Sequence, residues 1–251
     1  MRPFALLVLV IDLICPLSLS AGEAIDPSKG KLTEDRSTRW FDLRVLDIEG
    51  QGWRETKAPF DRLPATAEGK VRDAVWGLSR QSAGLCARFE TDATSVKAKW
   101  TLTSANLAMP HMPATGVSGL DLYVRSEDGF WRWLANGRPA AQTNEVTMAG
   151  NIPPPRRPNT KREFLLYLPL YNGVASARIG VAPGATLAAT PAAADKPVVV
   201  YGTSIVQGAV ASRAGLAYPA QLGRRLARPV LNLGFSEIGR ASCRERVCLA
   251  V

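Results

Sequence analysis

Lys196-Pro-Val-Val-Val-Tyr-Gly-Thr-Ser-Ile-Val-Gln-Gly208 constrains the fold of this chain more than any other stretch. Val198 to Val200 is a short β-branched run of the kind that forms a strand buried on both faces, as in parallel sheets. Tyr201-Gly202 turns the chain, Ser204 follows at once, and an amphipathic segment begins soon after. The pattern predicts a parallel strand, a tight turn and a helix that opens on a small nucleophile. A serine so placed stands at the carboxyl edge of an open α/β sheet, where such folds hold their ligands. Its backbone N–H also lies where partial positive charge can stabilise a developing oxyanion. A Thr-Ser pair that only caps a helix would have the same spelling.

Upstream, from Trp40 to about Val181, the pattern is different. Short segments alternate apolar and polar residues between Gly, Pro and Asn: 41–48, 74–78, 85–89, 96–102, 120–125, 130–134, 163–168 and 177–181. Many short alternating strands predict a β-sandwich of jelly-roll type. Trp131 and Trp133 flank Arg132, so both rings fall on one strand face, with core packing as the expected role and sugar stacking as the other option. Residues 21–39 and 183–195 read as linkers, the second rich in Ala, Thr and Pro. Residues 1–20 run from Arg2 through Phe4-Ala-Leu-Leu-Val-Leu-Val-Ile11 to Ser18 and Ser20, which predicts a secretory signal peptide and a secreted or periplasmic protein. That apolar run is shorter than the ~20 residues of a membrane anchor.

A formal charge of +9 raises nucleic acid as a partner, but the basic residues are scattered. The one cluster, Arg156-Arg157 with Lys161-Arg162, sits in a proline-rich stretch with no aromatics to stack bases. A single histidine and dispersed cysteines make no zinc set, and Gly202 to Gly208 lacks the ending of a phosphate loop. No cofactor, metal or nucleic acid is therefore expected. Cys86 reads as a small buried hydrophobe, and no structural disulfide is expected.

Two longer strings sharpen the expectation. Gly202 to Gly208, Ala211-Ser-Arg-Ala-Gly215, Tyr218-Pro-Ala220 and Val230-Leu-Asn-Leu-Gly-Phe-Ser236 together resemble the start of an SGNH (GDSL-like) hydrolase domain. Val117-Ser-Gly-Leu-Asp-Leu-Tyr-Val124 resembles the GxDLY signature of the β domain that precedes such domains, on Gly119, Asp121, Leu122 and Tyr123. Phe60-Asp-Arg-Leu-Pro64 and Met109-Pro-His-Met-Pro113 look like the same group.

The resemblance implies a β domain over 40–182 and the opening of a flavodoxin-like α/β domain over 196–236. It implies Ser204 as nucleophile, with Thr203 where many relatives carry Asp, and small acyl esters or acylated carbohydrate as substrate. The family pattern continues with a glycine, an Asn and an Asp-x-x-His pair. Position 237 is instead Glu, a charge that would repel an oxyanion. Residues 237–251 resemble translated sequencing adaptor rather than protein, so this chain is expected to be a fragment without activity. Its α/β part, roughly 40 residues long, is expected to leave open sheet edges and to lack the size to fold alone.

His111 and Asp121 are weaker candidates, readable as a surface histidine and as a structural hydrogen-bond acceptor. A non-catalytic carbohydrate-binding module is the competing function, distinguished by retention on polysaccharide without ester turnover.

Overall fold

The computed structural model describes residues 22–153, 160–190 and 195–236, and the backbone of 246–249. The expected signal peptide, most of the basic proline-rich stretch, residues 191–194 of the second linker and Glu237 lie outside the described residues. The strands are β1 (Glu23–Ala24), β2 (Gly30–Leu32), β3 (Arg39–Asp42), β4 (Ile48–Glu49), β5 (Cys86–Thr91), β6 (Val96–Leu102) and β7 (Leu120–Arg125). They continue as β8 (Trp131–Gly137), β9 (Thr143–Ala149), β10 (Arg162–Tyr167), β11 (Val174–Val181), β12 (Leu187–Ala189), β13 (Val198–Gly202), β14 (Val230–Gly234) and β15 (Arg246–Leu249). The helices are α1 (Asp73–Ser79), α2 (Ala114–Val117), α3 (Ser204–Gln207) and α4 (Tyr218–Leu226).

Two antiparallel sheets share one apolar core. One runs β1-β12-β5-β10-β7-β8 with β4 also on β5, the other β2-β3-β11-β6-β9. In β6, Val96, Ala98, Trp100 and Leu102 are buried, while Lys97, Lys99 and Thr101 are only partly covered. This strand therefore has one face against the core and one toward water. Phe89, Leu122, Phe164 and Leu166 from the first sheet meet Phe41, Trp100, Ile179 and Val181 from the second, with Phe89 and Phe164 stacked at 5.4 Å.

β10 departs from alternation: Glu163 through Tyr167 are all buried. Phe164 and Leu166 enter the core between the sheets, whereas Leu165 and Tyr167 pack on the other face with Tyr123, Ala214, Ala217 and Ala220. The second layer on that face is the α/β unit, so the first sheet is buried on both sides where the two units meet.

That unit is a three-stranded sheet in the order β14-β13-β15. β13 and β14 are parallel and in register from Val198↔Val230 to Gly202↔Gly234. α4 covers them, with Tyr218 and Leu222 against Val198, Val200 and Val206. The far edge of β13 is not open. β15, from the segment set apart as alien, pairs with it antiparallel from Val198↔Leu249 to Tyr201↔Arg246.

Several expectations need correction. Residues 74–78 form helix α1 rather than a strand, since Val75 and Ser79, four apart, share its buried face. The strand expected over 41–48 breaks at Asp42, whose carboxylate accepts the Arg44 N–H and starts a 3-10 turn. The stretch 22–39 carries β1 and β2, and 183–195 carries β12, so both read-as-linker segments add sheet edges. Trp133 is half exposed and Trp131 only partly covered, because their shared face meets the rim of the α/β unit instead of the core. Cys86 is buried, as expected, and unpaired among the described residues.

Candidate active site

Ser204 is the first residue of α3, immediately beyond the carboxyl end of β13. It is partly exposed, and among the described residues its hydroxyl has no hydrogen-bond partner. Gly208, in the left-handed conformation, ends this single-turn helix. Gly234 closes the neighbouring strand against it. A Cβ there would lie 2.1 Å from the Gln207 nitrogen and 2.5 Å from the Val206 carbonyl carbon, so only glycine lets β14 approach α3 this closely.

A polar network joins the two strand ends to the β domain. The Tyr171 hydroxyl donates to the Ser204 carbonyl at 3.3 Å and shares a 2.8 Å hydrogen bond with Ser236 Oγ. Gln207, fully buried, accepts the Ser236 N–H at 3.0 Å and donates to Gln81 Oε1 at 2.6 Å. Asn232 accepts the Gly234 N–H and donates to the Val206 carbonyl, each at 2.9 Å. Burial pushes the Tyr171 phenol above its ordinary range, keeping it a neutral donor.

The Phe60-Asp-Arg-Leu-Pro64 string explains itself here. Arg62 is buried without a carboxylate partner among the described residues and donates to four carbonyls: Gly234 at 2.6 Å, Leu78 at 2.7 Å, Gln81 at 2.8 Å and Asn232 at 3.1 Å. Its guanidinium also lies 4.4 Å from the centre of the Phe235 ring. Desolvation pushes its pKa down to about 9. One β-domain side chain thus clamps the end of β14, from which Ser236 projects beside Ser204's turn. Asp61 turns away to ion-pair with Arg80.

The GxDLY residues form the second clamp. Gly119 precedes β7 in a gap where a Cβ would sit 2.5 Å from the Thr115 carbonyl. Asp121 is not a reacting carboxylate. Fully buried, it accepts the Gly215 N–H at 2.8 Å and the Trp133 indole N–H at 2.9 Å, with Arg213 3.4 Å away. Burial raises its pKa, against the opposing pull of those donors and of Arg213 and Arg224. Leu122 enters the core and Tyr123 packs under Gly215. The motif is thus spelled for docking: alternate residues face the core between the two sheets and the α/β unit.

His111, the chain's only histidine, lies exposed in the Met109–Met112 turn. No group of three or more His, Cys, Asp or Glu among the described residues could hold a metal. No helix among them is long and apolar enough to cross a membrane. Sequence reading missed Arg62, Gln81, Tyr171 and Gln207 as parts of the site's frame. The signal was available only as a hint, in polar residues embedded in apolar surroundings.

An α/β strand end bearing a serine turn, clamped onto a two-sheet domain by a Gly-x-Asp-Leu-Tyr strand, defines an SGNH/GDSL-type hydrolase architecture. The family profile for the GxDLY N-terminus of SGNH-hydrolase-type esterases matches residues 38–187, more than half of the chain, and the chain belongs to that family. Residues 195–246 match the GDSL-like lipase/acylhydrolase family, a match that reaches into the segment after Ser236.

Among solved structures, a protein of Bacteroides ovatus described as a GDSL-like lipase is 34% identical, with a TM-score of 0.71, over 79% of this chain and 56% of its own. The salicylyl-acyltransferase SsfX3 of a tetracycline biosynthetic pathway shares the fold at 19% identity, with a TM-score of 0.60, over 79% of this chain and 54% of its own. The chain thus spans little more than half the length of these structures. No curated protein matches it.

Proposed function

We propose that the intact protein is an exported serine ester hydrolase in which Ser204 attacks an acyl carbonyl and forms an acyl-enzyme that water releases. The observation that carries this reading is Ser204's place: partly exposed, its hydroxyl without a hydrogen-bond partner among the described residues, and on the turn after a parallel strand. The backbone around it is held rigid by Tyr171, Gln207 and Arg62, which is what a nucleophile positioned to within a fraction of an ångström requires.

In this reading the two-sheet domain is a jelly-roll-like sandwich and the α/β unit is the opening of a flavodoxin-like domain. The substrate is a small acyl ester, with acetylated carbohydrate the first class to test. The chain by itself is inactive, since a serine hydroxyl needs a proton acceptor and none stands beside Ser204 among the described residues.

The test uses a short-chain nitrophenyl ester with two proteins: this chain, and the product of the native gene read through codon 236. The gene product should turn the ester over and lose that activity by at least ~10³-fold on Ser204→Ala, with little change in stability. Turnover by this chain that Ser204→Ala abolishes would refute its inactivity. Turnover by the gene product that survives Ser204→Ala would refute the nucleophile.

A further inference from the structure

Gln207 is fully buried on α3, three residues after Ser204, so the two occupy neighbouring positions on the helix surface. Its carboxamide uses both N–H groups and both lone pairs. Nε2 donates to Gln81 Oε1 at 2.6 Å and to the Leu170 carbonyl at 3.3 Å. Oε1 accepts the Ser236 N–H at 3.0 Å and the Ser236 hydroxyl at 3.3 Å. The Leu170 carbonyl and the Ser236 N–H are backbone groups of fixed polarity, so only one orientation of the amide answers both. An apolar side chain would fill the same space without the cost of burying an amide, and the residue is therefore specified for these four bonds.

α3 cannot hold Ser204 in place by itself. It has four residues, a single turn, and so short a helix is not stable alone. The grip comes from the β domain, through Gln81 just after α1 and through Leu170 and Tyr171 just after β10. Ser204 stands beyond β13 and Ser236 beyond β14. The bonds of Gln207 therefore fix the distance between two parallel strand ends, the edge at which open α/β sheets hold their ligands.

We propose that Gln207 is a positioning residue for the ester chemistry. It sets the Ser204 turn against the end of β14, and Gln81 holds its carboxamide in the required orientation, which makes the β domain a working part of the site. Gln207 itself touches no reacting atom, and its role rests on the reading of Ser204 as nucleophile. A misplacement of about 1 Å costs on the order of 10²-fold in rate, so the effect falls on kcat rather than on KM.

Steady-state kinetics on the native gene product with a short-chain nitrophenyl ester, and amide exchange by NMR on this chain, test the proposal. Gln207→Met removes all four bonds at similar size and should lower kcat by at least ~10-fold, with KM within about twofold of the parent. Gln207→Glu, assayed at the most acid pH at which the parent turns over, should have a kcat at least ~5-fold above that of Gln207→Met. Its neutral carboxyl accepts from Ser236 and donates to Gln81 as the amide does. If Gln207→Met does not fold, Gln81→Ala at a partly exposed position removes the 2.6 Å bond alone and should lower kcat by at least ~3-fold. In this chain either variant should quicken exchange of the Ser236 N–H. A lowered Tm with parent-like kcat, Gln207→Glu no better than Gln207→Met, or unchanged exchange at Ser236 would each overturn the proposal. Parent-like kcat in these variants of an enzyme that Ser204→Ala inactivates refutes the positioning role alone, whereas turnover that survives Ser204→Ala refutes the nucleophile and the positioning role together.

Discussion

Replacing Asp121 by alanine removes the acceptor that holds the Gly215 N–H and the Trp133 indole N–H, and it leaves Arg213 without its carboxylate. Each hydrogen bond to a charged group contributes about 1.5–3 kcal/mol net. Alanine also relieves the cost of burying the carboxylate, a cost visible in the raised pKa of Asp121. With these opposing effects, the expected loss is about 3 kcal/mol, at the low end for breaking a buried polar set. For a folded unit of this size that lowers Tm by roughly 6–12 °C.

Amide hydrogen exchange locates the damage. The Gly215 N–H should lose protection while the amides of β6 and β11 keep theirs, because the inter-sheet core is untouched. The pH dependence has a fixed sign. Asp121 has a raised folded-state pKa, so its contribution is fully present below 3.8 and is lost as pH rises through the folded value. Stability of the parent should therefore fall relative to Asp121→Asn across that window and run parallel to it above. A loss below ~1 kcal/mol for Asp121→Ala with Gly215 still protected would refute the view that this carboxylate joins the two units.

Arg62→Met removes a desolvated charge but leaves the carbonyls of Leu78, Gln81, Asn232 and Gly234 without their donor, so destabilisation of about 2–4 kcal/mol is expected in urea unfolding. A variant as stable as the parent would contradict the clamp. Gly215→Ala places a Cβ 2.3 Å from the Tyr123 ring and 2.7 Å from Asp121 Oδ2. It should cost about 1–3 kcal/mol and quicken exchange in 214–217, while unchanged exchange there would argue against close docking.

Much of this architecture was legible along the chain because its causes are local. Alternation in Val96–Leu102 reports a strand with one dry face, and the valine run before Ser204 reports a strand covered on both. The helix over 73–79 was misread because a five-residue window of Ala, Val, Trp, Gly and Leu has too few turns to separate the two periods. Glu163 to Leu168 carried a usable signal that alternation alone does not explain. Its unbroken apolar run meant a second layer on the sheet, and that layer is the α/β unit.

The sequence by itself determined the strand-rich first part, the strand–turn–serine of the second, and the position of Ser204, because each depends on neighbours a few residues away. Only the tertiary structure decided what Asp121 and Arg62 are for. Asp121 meets Gly215 94 residues along the chain, and Arg62 meets Gly234 172 residues along it. Such partners are chosen by which faces come to lie together when apolar surface is buried, and no local pattern of side chains encodes that choice.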